Sequence, residues 1–161
     1  MLTEKEIFDI LSEIPDPEIP VITIKDLGIL QRVEVTGNTC EIFITPTYSG
    51  CPAMKMIEDQ IQEALAPYQI TTIKVNLIYS PAWTTDWISD EAKEKLRIYG
   101  IAPPEHSSLD KGALTGKAKE LKCPLCNSKN TEMISQFGST ACKALYRCKD
   151  CKEPFDYFKC I

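Results

Sequence analysis

The sequence has one histidine, few glycines (seven in 161 residues) and no long apolar run. Each scarcity excludes something. A membrane-spanning helix needs roughly 18 or more consecutive apolar residues, so none is expected. The single histidine, His106, stands in a stretch without hydrophobic period, and neither His nor Lys flanks Cys51, the cysteine of interest below. A hydrolase built on a Cys–His pair needs such a base, so that class is set aside. The start, Met1 to Glu6, lacks the basic-then-apolar order of a secretory leader, so a cytoplasmic location is expected. Basic clusters are missing too. Lys and Arg number 18 against 23 Asp and Glu, a formal −5. Residues 122–161 hold 7 basic and 4 acidic side chains, and the remainder holds 11 and 19. Phosphate binding relies on clustered Lys and Arg, so nucleic acid is not an expected partner.

Cysteine, by contrast, is abundant. Eight are present, and six fall in the last 39 residues. Cys123-Pro124-Leu125-Cys126 and Cys148-Lys149-Asp150-Cys151 are two Cys-x-x-Cys pairs separated by 21 residues. In a reducing compartment this spacing points to metal thiolates rather than disulfides. Four thiolates at the corners of a tetrahedron suit a structural zinc ion, and the same set can hold a rubredoxin-like iron. Met133, Ile134, Phe137, Tyr146, Phe155, Tyr157 and Phe158 supply strands around these pairs, too few to fold unaided. A C-terminal all-β zinc ribbon over residues 122–161 is therefore expected. Cys142 and Cys160 are left over, as small buried hydrophobes or spare ligands.

The first part reads as a small α+β domain of order αββαβ with one mixed sheet. Thr3 and Glu6 form a capping-box pattern, and Ile7, Ile10, Leu11 and Ile14 repeat at helical spacing until Pro15. The prolines of Asp16-Pro17-Glu18-Ile19-Pro20 exclude helix there. Ile29, Gln31, Val33 and Val35 alternate as one strand, Gly37 supplies a turn, and Cys40, Ile42 and Ile44 return. A second helix carries Ile57, Ile61, Ala64 and Leu65, and Ile73, Val75, Leu77 and Tyr79 make a third strand. A short helix follows with Ser89 as cap, Gly100 after its end, and a stripe of Ile88, Ala92, Leu96 and Tyr99. This places a domain with its appended helix over residues 1–101. The linker then spans 102–121, rich in Pro, Ser and Gly.

Cys51 follows Gly50 and precedes Pro52, which reads as the first helical residue, so Cys51 is expected at the N-cap. A thiol there faces unpaired N–H groups and the positive end of the helix dipole, which favours thiolate. It is either a structural cap or a nucleophile or metal ligand. The carboxylates of Asp16 and Glu18, held by their prolines, are the expected polar neighbours.

Asp16-Pro17-Glu18-Ile19-Pro20, Asp26-Leu27-Gly28-Ile29 and Thr45-Pro46-Thr47-Tyr48-Ser49-Gly50-Cys51-Pro52 together resemble the metal–sulfur cluster biosynthetic (SufT-like) family over residues 1–80. Trp83-Thr84-Thr85-Asp86-Trp87, the segment Tyr99 to Pro104 and the terminal ribbon extend the resemblance to the D-subunit family of phenylacetyl-CoA epoxidases. Where typical members read Thr-Thr-Pro-Gly-Cys, this chain reads Thr47-Tyr48-Ser49-Gly50-Cys51. The resemblance implies a cleft gathering Asp16, Glu18, Thr47 and Cys51. It also implies a non-catalytic accessory factor in aerobic phenylacetate degradation, helping to insert iron or an iron–sulfur cluster into a partner. The implied partners are the oxygenase and reductase subunits of the epoxidase, with a homodimer left open, and the implied cofactors are structural zinc and a transient iron or iron–sulfur cluster. A scaffolding subunit and an electron-transfer protein with iron in the ribbon are the alternatives.

Overall fold

Thr3 and Glu6 do close a capping box. The Thr3 hydroxyl accepts the Glu6 N–H at 3.3 Å, and the Glu6 carboxylate accepts the Thr3 N–H at 2.7 Å. From this cap runs α1 (Glu4–Ser12), which buries Ile7 and Leu11. The computed structural model describes residues 2–104 and 120–159. His106, most of the expected linker and Cys160 lie outside the described residues. The chain divides into two compact units, Met1–Trp83 and Thr84–Ile161.

In the first unit β1 (Leu30–Thr36) pairs antiparallel with β2 (Thr39–Ile44), and β2 pairs parallel with β3 (Thr72–Leu77). α2 (Ala53–Leu65) is the crossover between the two parallel strands. The expected αββαβ order and mixed sheet are what is found. Strand alternation holds strictly on β2, where Cys40, Ile42 and Ile44 are buried. On β1 it breaks, because the register shifts between Leu30 and Arg32. This bulge leaves Gln31 exposed and buries both Leu30 and Val33, so the expected alternation from Ile29 through Gln31 fails locally. On β3, Ile73 and Val75 are half-buried, but Leu77 and Tyr79 are exposed.

The Pro-rich segment before β1 is ordered and contributes to the core. Ile19, Ile22, Ile24, Leu27 and Ile29 are all buried. At the far end of this unit the indole N–H of the buried Trp83 donates to the Leu27 carbonyl at 2.8 Å.

The second unit starts with α3 (Asp90–Tyr99). Ser89 caps it by accepting the Ala92 N–H, and Gly100 ends it at φ 95° in the left-handed region. Ile88, Ala92 and Leu96 are buried as expected, whereas Tyr99 is exposed. β4 (Ile101–Ala102) pairs parallel with β7 (Pro154–Phe158). β7 pairs antiparallel with β6 (Lys143–Cys148), and β6 with β5 (Thr131–Ser135). The sheet order is β4-β7-β6-β5.

The boundary therefore differs from a first domain ending at residue 101. Ile101 and Ala102 supply ladder hydrogen bonds to the ribbon, and Ala102 joins Leu121, Ala144, Tyr146, Phe155 and Tyr157 in its core. Ile134 and Phe137, expected inside, stand exposed on β5 and the turn after it.

Candidate metal centre and the Cys51 site

The two Cys-x-x-Cys pairs fold as near-copies of one another. In each, the first cysteine's N–H donates to the carbonyl five residues on, Cys123 to Ser128 at 2.8 Å and Cys148 to Glu153 at 3.0 Å. In each, the residue after the second cysteine is left-handed, Asn127 at φ 64° and Lys152 at φ 67°. Asn tolerates that conformation, while Lys is strained in it by Cβ contact with its own backbone. In the second pair the Lys152 ammonium donates to the Lys149 carbonyl.

Further bonds lace one pair to the other. Lys149 N–H meets the Asn130 carbonyl at 2.8 Å. The Asp150 carboxylate accepts from the Ser128 hydroxyl and from the Asn130 amide, which hold its carboxyl below the usual range.

This scaffold brings four sulfurs within 4.8 Å of one another: Cys123, Cys126, Cys148 and Cys151. Cys123 and Cys151 are 3.8 Å apart and Cys126 and Cys148 are 3.5 Å apart. Metal–sulfur bonds of about 2.3 Å in a tetrahedron require sulfur separations of about 3.8 Å, so the donor set fits a tetrahedral divalent ion.

The charges of the four thiols cannot balance without one. The Cys151 N–H, followed by that of Asp150, outweighs desolvation and draws the Cys148 thiol down to about 7. At Cys151 the N–H of Glu153 favours thiolate, yet desolvation and the neighbouring sulfurs push the thiol up to about 12. One site ionises at its neighbour's expense. A bound cation removes that conflict.

The expected cleft has a different construction. Thr45 leaves β2 with its N–H on the Ile29 carbonyl at 2.9 Å. The chain then turns, with Cys51 N–H to Tyr48 carbonyl at 3.2 Å and Gly50 at φ 78°. A Cβ at Gly50 would meet nothing within 4 Å, so the dihedral rather than crowding requires glycine there.

The helix starts one residue later than expected. Pro52 is its N-cap, and no side chain caps it. Cys51 therefore stands just outside, with its carbonyl accepting the Met54 N–H at 3.3 Å and its thiol half-buried. Proline carries helical φ at either the N-cap or the first helical position, so the sequence pattern fits both. Thr47, buried, donates its hydroxyl toward Cys51 Sγ at 3.9 Å.

Asp16 has a local task. Its carboxylate accepts the Glu18 N–H at 2.9 Å and the Ile19 N–H at 2.8 Å, an Asx turn that shapes its own loop. Its N–H bonds the Ile22 carbonyl at 2.8 Å. Glu18 is half-buried in that turn. Asp26 and Thr23 bond each other reciprocally at 3.1 Å.

The structure thus joins Thr47 to Cys51. Among the described residues, Asp16, Glu18 and Cys51 are not part of any set of three or more Cys, His, Asp or Glu donors converging within 4.8 Å; the ribbon thiols are that set. One residue without a separate sequence signal emerges here. Thr45 is 1% exposed, and its hydroxyl has no partner among the described residues. Cys142 is buried with Thr140 Oγ1 3.0 Å from its sulfur, and it is not part of the metal set.

Comparison with known proteins agrees with this two-part construction. Residues 4–78 match the family described as iron–sulfur cluster assembly protein, and residues 107–159 match the PaaD zinc beta ribbon domain. Over 97% of its length the chain is 53% identical to the D subunit of the 1,2-phenylacetyl-CoA epoxidase of Escherichia coli (strain K12), covering 92% of that protein. Over 52% of its length it is 38% identical to the Fe-S protein maturation auxiliary factor SufT of Staphylococcus aureus, covering 96% of it. A crystal structure of a domain of unknown function (DUF59) from Bacillus anthracis is 28% identical, with a TM-score of 0.54 over 59% of this chain and 92% of that one.

Proposed function

The chain belongs to the family of phenylacetyl-CoA epoxidase D subunits, whose first part is of the iron–sulfur assembly type, and on that premise we propose that it is an accessory factor that helps load iron or an iron–sulfur cluster into a component of that epoxidase. The observation that carries the reading is Cys51, half-buried beside the Thr47 hydroxyl at 3.9 Å, at the end of a parallel strand where its helix begins. Side chains there meet ligands at the carboxyl ends of strands, a position suited to handing a cargo across. The iron is cargo, and Cys51 is its transient ligand. Thr47 orients the thiol. Asp16 and Glu18 shape the wall of the site through the turn they form. The clients are the oxygenase or reductase subunits, met in the cytoplasm.

The ribbon holds zinc through Cys123, Cys126, Cys148 and Cys151. A zinc ion there supplies folding energy and no chemistry, with a magnitude of order 10 kcal/mol.

The test is co-expression of Cys51→Ser with the epoxidase subunits, followed by metal analysis of each. An iron-deficient client, with zinc in the ribbon unchanged, is the expected result. Full iron loading would instead make the protein a scaffold, in which Cys51 only shapes the turn.

A further inference from the structure

The four thiols of the metal centre differ in their access to solvent. Cys123 and Cys148 are 0% exposed, Cys151 is half-buried, and Cys126 is exposed. On either side of Cys126, Leu125 and Asn127 are exposed as well, so its own loop leaves the sulfur open. Cys142, at 4% exposure, is shielded, and so is Cys40 at 1%. A metal-held thiolate is the nucleophilic form of cysteine, and accessibility selects which thiolate an oxidant meets. Cys126 is that thiolate.

A resolving thiol is in place. Cys148 Sγ lies 3.5 Å from Cys126 Sγ. A disulfide is about 2.05 Å long, so the two sulfurs must close by roughly 1.5 Å. The exposed loop around Cys126 allows that approach from one side.

We propose that Cys126 is an oxidative modification site, attacked by peroxide and resolved by Cys148 to a disulfide that opens the metal centre. The proposal rests on the reading of the four thiols as a metal centre. In the first step the Cys126 sulfur attacks one peroxide oxygen and the O–O bond breaks. The departing hydroxide takes a proton and leaves as water, and Cys126 becomes a sulfenic acid. In the second step the Cys148 thiolate attacks the Cys126 sulfur and the S–O bond breaks. That hydroxide also leaves as water after taking a proton. Two thiolates, one hydrogen peroxide and two protons give one disulfide and two waters. Two of four metal ligands are thereby lost. A dithiol reductant reverses the reaction by exchange.

The experiment uses the full chain as isolated with its zinc. Hydrogen peroxide is added in steps, released zinc is read with a chromogenic chelator, and peptides are mapped for sulfenic acid and disulfides. One zinc per chain should leave as a Cys126–Cys148 disulfide forms, with the first trapped sulfenic acid at Cys126. Dithiothreitol with added zinc should restore the loaded protein. Cys126→His keeps a fourth ligand of a common zinc type and removes the reactive sulfur, so zinc release should slow by about tenfold or more.

Zinc retained under excess peroxide would overturn the proposal. So would a first sulfenic acid on Cys123, Cys148 or Cys151, or equal release from Cys126→His. Should that variant bind no zinc, the peptide map of the wild-type chain decides. A chain isolated without any metal overturns the reading of the centre itself, whereas a zinc-loaded chain that resists peroxide overturns this inference alone.

Discussion

Cys51 differs from a capping residue in a way that stability measurements can read. A capping side chain accepts a helix N–H, and its loss typically costs about 1 kcal/mol. Pro52 holds the N-cap here, without a side-chain bond, and Cys51 contributes its backbone instead. Cys51→Ala and Cys51→Ser should therefore both unfold within about 0.5 kcal/mol of the parent, the range of surface changes that touch no cap or core. Denaturant titration of the whole chain, monitored in its first unit, checks this. A loss near 1 kcal/mol for Ala alone would return the thiol to a capping role. The one-residue error has a plain cause. Gly50-Cys51-Pro52 fits a helix start equally well with proline at the N-cap or just after it, and only the hydrogen bonds decide.

At the scale of elements, the sequence exposed what local chemistry controls. α1 and α3 announce their ends through Thr3, Glu6, Ser89 and Gly100, and the structure places all four in cap motifs. β2 shows its alternation because its buried residues face a single side. The bulge in β1 was not legible, since an extra residue in a ladder is specified by the partner strand. Nor was the Asx turn of Asp16 distinguishable from a carboxylate free to bind metal, because Asp-Pro serves both.

The paired cysteines were the clearest signal, because their spacing is itself the geometry of the site. That element also yields a pH prediction. In the metal-free ribbon Cys148, favoured as thiolate by the Cys151 N–H, has its thiol lowered from 9.0 to about 7. Its stabilising contribution is complete above 9.0 and disappears as pH falls through about 7. Cys151 has the opposite sign. Raised to about 12, it stabilises the fold as a thiol below 9.0 and loses that contribution as pH rises through about 12. A metal needs both as thiolates. Zinc uptake at about pH 8 should therefore release protons, the one on Cys151 included, and affinity should fall as pH is lowered. Calorimetric titration in two buffers of different ionisation enthalpy measures the protons. Binding without proton release would mean that the thiols were already ionised.

The whole molecule is cut where composition does not suggest. Pro, Ser and Gly between 102 and 121 read as a linker, yet Ala102 and Leu121 at its two ends belong to the ribbon core. A strand of two residues carries no periodicity, so β4 could not be read locally; it exists because β7 offers an edge. β4 covers that edge, and an uncovered strand edge invites pairing with other chains. A ribbon fragment beginning at residue 122 should thus lose Ala102 and Leu121 from its core and expose β7. Removing a large aliphatic side chain such as Leu121 from a core typically costs about 2–5 kcal/mol. A fragment of residues 84–161 keeps both, together with α3, whose Ala92 and Leu96 are fully buried. With zinc present, residues 84–161 should unfold as one cooperative, monomeric unit. Residues 122–161 should melt lower and self-associate at high concentration. Thermal melts and sedimentation of the two fragments compare them directly. Equal melting temperatures and equal monomeric behaviour would show that β4 adds nothing, and that the ribbon's stability lies in its four thiolates and the sheet of β5, β6 and β7 alone.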